Sequence, residues 1–276
     1  RVDTSTHVGT GPFNGVDSNE DIDESGNTYK ANLAFTPNEN TLIYGQWSEG
    51  FRLGRGQTIP NLALCDTEDN GPGNPRGNGK LDFTDGVLTA RVESDTTTNL
   101  ELGLKISLLN NRFLVNAAVF KTGWDNLPTA IRDTSDTCPG STEIINNIGS
   151  AESQGIEVDA TYLLDAWQFS LSASYMDTKR TNTQLPVVEG ERLIYAPRTN
   201  AGLGIQYNFV LNDYSGYVRS DIGYVGKYPS AESSFAYPYS GGYVDASLHF
   251  GIAINQWDLS FYGTNRSEEH TSELQS

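Results

Sequence analysis

The stretch NLELGLKISL, residues 99–108, decides the fold. Leucine or isoleucine stands at every second position, and the intervening residues are Asn99, Glu101, Gly103, Lys105 and Ser107. Successive side chains of a β-strand point to opposite faces, so this spacing makes one face aliphatic and the other polar. A helix would scatter the same leucines around its circumference. The stretch therefore predicts a strand with one apolar face.

The same alternation recurs along the chain and predicts about ten strands. Clear runs are 29–36, 113–120, 156–162, 167–175, 200–209, 244–252 and 257–262, and less regular ones are 41–50 and 215–227. One face of the resulting sheet should carry Leu102, Leu104, Val115, Ile156, Phe169, Leu203 and Leu248. The opposite face should carry Glu101, Lys105, Glu157 and Asp245.

Short and long connections alternate between these runs. The short ones are 37–40, 109–112, 165–166, 211–215 and 255–256, and the long ones are 51–95, 123–150, 178–197 and 228–241. Transmembrane β-barrels keep short turns on one side and long loops on the other. The runs also approach the roughly 9–11 residues that a tilted strand needs to cross a bilayer. We therefore predict an all-β, antiparallel, up-and-down transmembrane β-barrel, here partial and open, with its apolar face convex and lipid-facing. A soluble β-sandwich is the alternative, although it has no reason to keep every long loop at one end.

Composition limits the function. The 276 residues have a formal net charge of -17, which argues against a nucleic-acid partner. No stretch of about 18 apolar residues suggests a transmembrane helix. The sequence contains no Ser/His/Asp arrangement, HExxH motif or phosphate-binding loop, so we predict no enzyme activity, no catalytic residue and no cofactor.

Several segments, in their order along the chain, resemble TonB-dependent outer-membrane receptors. They include YKANLAFTPNENTLIYGQWSEGFRLG (29–54), VESDTTTNLELGLKISLLNNRFLVNAAVFKTGWDNL (92–127) and NNIGSAESQGIEVDATYLL (146–164). The resemblance covers nearly all of 28–265. It implies a Gram-negative outer-membrane location, a bound small molecule such as a ferric chelate, and contacts with outer-membrane lipid. It also implies uptake driven by the TonB complex through a plug domain that this sequence lacks. The cargo would be an iron–siderophore complex, cobalamin, haem or an oligosaccharide.

Two other function classes remain open from the sequence. A passive outer-membrane porin or adhesin barrel would show the same alternation without a plug domain. A secreted β-rich binding module would share the composition but would dissolve in buffer rather than in detergent.

The last residues, RSEEHTSELQS (266–276), do not continue the alternation. Their back-translation matches the adapter oligonucleotide that is ligated to short-read sequencing libraries. We therefore interpret 1–265 as part of a receptor barrel without its plug domain and final strands, and 266–276 as adapter-derived. We expect the latter to lack regular partners. A natural charged tail is the alternative.

Arginines at one strand end are the main binding candidates. GFRLGRG (50–56) places Arg52 and Arg55 at the predicted outer mouth. They suit an anionic ligand such as a ferric chelate or a phosphate group, but a structural role at the rim or a lipid-headgroup contact is the alternative. Trp124 is the third residue that we name as a candidate ligand contact.

Both cysteines fall in long connections on the predicted outer side. Cys65 lies in 51–95 and Cys138 in 123–150. Because an outer-membrane chain matures in an oxidising compartment, we predict a disulfide between them, with two free thiols as the alternative. Residues 74–85 resemble half of a calcium loop, but Arg76 stands where a carboxylate is needed. We therefore predict no metal site there.

Overall fold

The computed structural model describes residues 26–56, 91–132, 143–183, 190–230 and 239–268. Cys65, Cys138, residues 74–85 and residues 269–276 lie outside these ranges, so their predictions stay as they are. None of the described segments forms a helix that could cross a membrane. The strands are β1 (Lys30–Asn38), β2 (Thr41–Arg52), β3 (Arg55–Gly56), β4 (Arg91–Val92), β5 (Asp95–Leu108), β6 (Phe113–Arg132), β7 (Glu143–Leu164), β8 (Trp167–Thr183), β9 (Thr199–Leu211), β10 (Tyr214–Val225), β11 (Tyr228–Pro229), β12 (Tyr239–Ser240), β13 (Tyr243–Ile254) and β14 (Trp257–Glu268).

Ten strands form one antiparallel sheet in which neighbours in the chain are neighbours in space. Its order is β1-β2-β5-β6-β7-β8-β9-β10-β13-β14, and β3–β4 and β11–β12 form two small ribbons inside long connections. Within the described residues, β1 pairs only with β2, and β14 pairs only with β13. The sheet is therefore open, which confirms the predicted meander of about ten strands and its partial-barrel character.

All five short turns lie at one end of the sheet, because neighbouring strands run in opposite directions. We call this the turn end and the opposite end the loop end. Backbone bonds of 2.8 Å join two of the turns to the adjacent strand: Ser107 N–H of β5 donates to Asn40 O, and Asn208 N–H of β9 donates to Ala166 O. Left-handed backbone occurs in the turns mainly at Asn and Asp, which tolerate positive φ better than other non-glycine residues. The turn residues with positive φ are Leu109, Asn110, Asn111, Asp165, Asn212, Asp213 and Asn255.

The cross-strand register keeps the two faces separate across the whole sheet. Leu102 pairs with Val119, and Val119 pairs with Ile156. On the other face, Lys105 pairs with Asn116, and Asn116 pairs with Asp159. Directly opposite residues share a face. All the side chains assigned above to the apolar and polar faces fall on the faces that the sequence predicted.

The apolar face is exposed and is bounded by aromatic rings near both ends. Leu33 is 78 % exposed and Leu248 is 57 % exposed. At the turn end the ring centroids of Trp167 and Tyr207 lie 4.7 Å apart. Tyr175 is exposed eight residues further along β8, about 26 Å from Trp167 at the usual strand rise. An exposed band of aliphatic side chains therefore lies between two levels of aromatic rings.

The polar face lines a groove and is crowded. Residues of five consecutive strands, β7 to β10 and β13, surround a cavity of about 340 Å³ that includes Asp159, Arg219 and Asp245. Such enclosure is expected on the inner face of a curved sheet. Large side chains on this face lie over glycines of the next strand, since a Cβ added at Gly103 would collide with Tyr44, and one at Gly223 with Asp245.

Three predicted strand ends, in two of the long connections, are wrong. β6 runs to Arg132, β7 starts at Glu143 and β8 runs to Thr183. Parts of the predicted loops 123–150 and 178–197 are therefore strands. Backbone pairing there continues past the apolar band, for example between Ala130 and Ile145, and it needs no alternation because the backbone groups are the same in every residue.

Backbone pairing also corrects the expectation that residues 266–276 lack regular partners. Residues 266–268 pair in register with 243–245 of β13, so these three do have regular partners. Their backbone continues a ladder that β13 already offers. The adapter interpretation of 266–276 remains a prediction.

The crowding of the polar face generates the first test. In Gly204→Val, the new Cβ would lie 2.8 Å from Arg219 Nη2 and 2.8 Å from Asp221 Oδ1, and would also meet Ser170 Oγ. We expect the free energy of unfolding of the intact protein to fall by about 1–3 kcal/mol.

Gly263→Val is the matched control, because nothing lies within 4 Å of its added Cβ. Valine suits a strand, so this variant should be neutral or slightly stabilising. Both variants are compared by denaturant unfolding. Equal effects of the two substitutions would contradict the crowded inner face.

Candidate functional site

A pocket at the loop end brings together all three residues that the sequence named as ligand contacts. We call it the mouth pocket. Its volume is about 390 Å³. Its walls come from β2, β3, β6, β7, β8 and the connection after β8. The lining residues are Arg52, Arg55, Trp124, Leu127, Pro128, Thr129, Ile145, Arg180, Leu193 and Ile194.

A buried carboxylate fixes two of these residues. Asp95 is 4 % exposed, and its Oδ1 and Oδ2 accept hydrogen bonds from Arg52 Nε (2.8 Å) and Nη2 (2.6 Å). Trp124 Nε1 donates to the same Oδ2 at 2.5 Å. The Arg52 guanidinium also lies 5.4 Å from the centre of the Trp124 ring, within cation–π range. This two-point ion pair with a stacked ring gives Arg52 one fixed orientation.

The strand that carries Trp124 is irregular just beyond it. The pairing of β6 with β7 shifts between Trp124 and Leu127 and again before Pro128, and Asn126 has φ 61°. A β-bulge of this kind re-aims the side chains on either side of it. Here it accompanies the placement of Trp124 and Leu127 on the same pocket wall.

Asn147 of β7 bonds to the bulge and to the short connection that precedes β5. Its Nδ2 donates to Asn126 O at 2.7 Å and to Glu93 O at 3.1 Å. Its Oδ1 accepts the Glu93 N–H at 2.7 Å. Asn126 Nδ2 in turn donates to Ser94 O at 2.7 Å. Two asparagines therefore join the bulge to the backbone that leads into Asp95.

The connection after β8 folds back and closes one side of the pocket. Arg180 N–H donates to Glu191 O at 2.8 Å, and Gly190 N–H donates to Arg180 O at 2.9 Å. Leu193 N–H donates to Thr178 Oγ1 at 3.2 Å. These bonds hold Leu193 and Ile194 over the end of β8, where they supply apolar walls.

Arg180 adds a third guanidinium to the pocket. It is 6 % exposed, and its Nη1 donates to Thr129 Oγ1, a neutral acceptor, at 2.9 Å. Arg55 also lines the pocket and is exposed, and it has no ion-pair partner among the described residues. The described lining contains three arginines and no carboxylate. In a chain of net charge -17, this concentration of positive charge suits an anion, because guanidinium groups bind carboxylate, phenolate or phosphate oxygens with paired hydrogen bonds.

The sequence named Arg52, Arg55 and Trp124, which line this pocket, but did not name Asp95, Asn147 or Arg180. Arg180 was placed in a predicted loop, and its neighbour Lys179 carries the same charge, so nothing in the sequence shows which of them faces inward. Asp95 precedes the clear alternation, and only the register, which sets it opposite Arg52, reveals the pair. Within the described part of the chain, no cluster of three or more His, Cys, Asp or Glu residues could hold a metal ion.

Comparison with known proteins identifies the family. The model of the family described as TonB dependent receptor-like, beta-barrel, matches residues 1–265. Among solved structures, the chain resembles the ferric yersiniabactin uptake receptor FyuA from Yersinia pestis, at 16 % identity and a TM-score of 0.61. The match covers 86 % of this chain and 31 % of that one.

Two further solved structures resemble the chain to a similar degree. The siderophore receptor PiuA from Acinetobacter baumannii is 20 % identical with a TM-score of 0.58, over 85 % of this chain and 31 % of that one. The copper transporter OprC is 16 % identical with a TM-score of 0.56, over 84 % of this chain and 32 % of that one. The chain thus spans about a third of each structure, and identities this low establish the shared fold alone.

The Asp95 carboxylate generates the second test. Asp95→Asn keeps the shape of the side chain but removes the charge that orients Arg52 and that accepts the Trp124 N–H. Because Asp95 is buried while Arg52 is about half exposed, we expect unfolding of the intact protein to become easier by about 1–3 kcal/mol.

Asp125→Asn, the same chemical change at an exposed carboxylate, is the control and should cost less than about 0.5 kcal/mol. Denaturant unfolding measures both variants, and indole fluorescence of Trp124 reports the local change. If Asp95→Asn behaved like the control, Asp95 would not organise the mouth pocket.

Proposed function

We propose a function that starts from one established point: the chain belongs to the TonB-dependent receptor-like β-barrel family. In our proposal it forms part of an outer-membrane receptor of a Gram-negative bacterium. The receptor captures a scarce nutrient as an anionic chelate, such as an iron–siderophore complex, and imports it with energy from the TonB complex. It catalyses no chemical reaction.

The mouth pocket carries the substrate part of this proposal. It opens at the loop end, beside the polar face, and presents Arg52, Arg55 and Arg180 around apolar walls. Arg52 is fixed by Asp95, so its charge is largely offset, and its half-exposed edge can still donate to a ligand. Arg55, which has no ion-pair partner among the described residues, then supplies most of the net attraction, and Arg180 adds hydrogen-bond donors to the wall. An apolar wall beside a few fixed polar groups is the usual composition of a small-molecule site.

The exposed apolar face supports the membrane location. In water, an aliphatic face that continues across ten strands would be an aggregation hazard. In a bilayer it matches hydrocarbon, and the aromatic levels near Trp167 and Tyr175 match the two interfaces. Within the aliphatic band, each strand pairs residue by residue with its neighbours, apart from the two open edges, as hydrocarbon requires.

The charged side chains of the polar face support the proposal that this face borders a plug domain or water and does not contact lipid. Glu157, Asp159, Arg219 and Asp245 all project from it, and Arg219 pairs with Asp221 on the same strand. In the family resemblance this interior holds the plug domain through which the TonB complex acts. We propose that partner on the family relationship alone.

Lipid contact generates the third test. Leu203 lies four residues from Tyr207 towards the loop end and is 42 % exposed on the apolar face. In the intact receptor in lipid bilayers, Leu203→Arg should lower the free energy of unfolding by about 2–4 kcal/mol, because the charge would lie near the bilayer midplane.

Ser174→Arg places the same side chain on the polar face, opposite Glu157 and beside a groove of about 270 Å³. It should change stability by less than about 1 kcal/mol. Unfolding in bilayers measures both. An equal cost for the two variants would contradict the lipid-facing assignment of Leu203.

Anion binding generates the fourth test. Arg55→Gln in the intact receptor should weaken binding of a negatively charged ferric chelate about 10–100-fold, because one charge-assisted hydrogen bond is lost. Isothermal titration in detergent measures the affinity for an anionic triscatecholate complex and for an uncharged trihydroxamate complex.

Lys105→Gln is the control, since Lys105 carries the same charge on the polar face, over the Tyr44 ring, with no part in the mouth pocket. It should leave both affinities unchanged. If the Arg55 variant bound the anionic chelate as tightly as the wild type, Arg55 would not be part of the binding site. Diffusive passage of small solutes without chelate binding would favour a passive porin instead.

A further inference from the structure

Beyond Tyr175, towards the loop end, the apolar face changes from aliphatic to charged. Tyr175 of β8 pairs with Ile156 of β7, which pairs with Val119 of β6. Two residues further towards the loop end, Asp177 pairs with Gln154, and Gln154 with Lys121. After two more, Lys179 pairs with Glu152. By alternation these charged side chains continue the face that carries Ile156 and Tyr175.

These side chains form two ion-paired groups on one face. Glu152 Oε1 lies 3.3 Å from Lys121 Nζ, and its Oε2 lies 3.6 Å from Lys179 Nζ. Arg198 Nη2 lies 2.8 Å from Asp177 Oδ1, and Arg198 Nε donates to the same oxygen at 2.9 Å. The side chains of Lys121 and Lys179 are each 54 % exposed. The group of Lys121, Glu152 and Lys179 therefore spans three neighbouring strands and remains open to solvent.

Arg192 adds another positive charge beside Arg198 and Asp177. Its Nη2 donates to Ala196 O at 2.6 Å, and its buried Nε has no hydrogen-bond partner among the described residues. Burial lowers the pKa of the Arg192 guanidinium, and repulsion by Arg198 lowers it further. The headgroup patch, as we call Lys121, Glu152, Asp177, Lys179, Arg192 and Arg198, thus holds four cations and two carboxylates. This local excess is positive in a chain whose formal net charge is -17.

We propose that the headgroup patch binds the phosphate groups of a glycolipid in the outer leaflet of the membrane. The inference rests on the proposed membrane orientation. At the usual strand rise, Asp177 and Lys179 lie about 7 and 13 Å beyond Tyr175 along the strand. If Tyr175 marks the interface, this is the level of lipid phosphates, where basic side chains attract anionic headgroups.

The ion pairs of the patch do not oppose this role. Exposed pairs of this kind contribute little to stability, so a phosphate can draw the lysines away from Glu152 at small cost. Lysine offers a compact point charge, and arginine a planar fork that suits phosphate oxygens. Glu152 and Asp177 keep the cations close together while the site is empty of lipid.

Lipid is favoured over a soluble ligand because of the face. Lys179 and Arg180 are adjacent in β8 but point to opposite sides, so Arg180 lines the mouth pocket while Lys179 joins the headgroup patch. The patch continues directly from the exposed aliphatic band. An acyl chain packed against Ile156 and Val119 would therefore place its phosphate near Lys121 and Lys179.

The test uses the intact receptor and lipid A in detergent-solubilised form. Native mass spectrometry should show diphosphorylated lipid A bound to the wild-type receptor, and its dephosphorylated form bound more weakly. The double variant Lys121→Ala and Lys179→Ala should bind lipid A about thirtyfold more weakly, or about fivefold for each lysine removed. Lys105→Ala, which removes one cation from the opposite face, should bind as the wild type does.

Each outcome decides a different point. Equal binding of phosphorylated and dephosphorylated lipid A by the wild type would overturn the proposal without any variant. So would undiminished binding by the double variant, or an equal loss in Lys105→Ala, which would indicate net charge alone. Displacement of lipid A by millimolar inorganic phosphate would show a site for free phosphate rather than for lipid. A receptor that inserts into bilayers and binds its ferric chelate but fails these tests would retain the proposed function and lose only this inference.

Discussion

The cross-strand register is the constraint on which the rest of the structure depends. Side chains alternate between faces with a period of two, so a slip of one residue in any hairpin would exchange that strand's aliphatic and polar residues. The observed register avoids this in every one of the nine pairings of the main sheet. Leu171 pairs with Leu203, and Leu203 pairs with Ile222, while on the other face Asp159 pairs with Ser172. The turns support the register, since Asn212 and Asp213 take the left-handed backbone that a two-residue hairpin needs.

The candidate site forms where this regularity ends. Within the aliphatic band, pairing is uniform and leaves little freedom to aim a side chain. Beyond the band, β6 bulges at Asn126, the connection after β8 folds back on Arg180, and Asp95 enters β5 from the connection before it. Each irregularity brings a polar group to the mouth pocket, and each is stabilised by side chain-to-backbone bonds such as those of Asn147. A regular sheet thus supplies the support, and local departures from it supply the binding groups.

The sequence predicted the features that follow from alternation and missed those that follow from contacts. The strand pattern, the faces of Leu203 and Glu157 and the common end of the short turns come directly from residue spacing. The ends of β6, β7 and β8 do not, because paired backbone outside a bilayer or core needs no apolar period. Asp95 and Arg180 were missed for a related reason. Their roles depend on which residue stands opposite on the next strand, and that depends on hairpin register and on a bulge. Arg52 and Arg55 could be named as candidates because a GFRLGRG segment at a strand end shows its charges without any need for register.

The division of side chains between the two faces explains how an acidic chain can present two surfaces with an excess of cations. Among the described residues, the loop end gathers Arg52, Arg55, Lys179, Arg180, Arg192 and Arg198, together with carboxylates that include Asp95, Glu152, Asp177 and Glu191. Alternation then divides the loop-end charges between the two faces. Arg180 points to the mouth pocket, and Lys179, one residue earlier, points to the side that continues the aliphatic band. The loop-end carboxylates Asp95, Glu152 and Asp177 offset part of this charge, but the described cations outnumber them at each surface. The net charge therefore does not predict which ligands this protein attracts. The face of the sheet and the position along the strands at which each charge lies are better predictors.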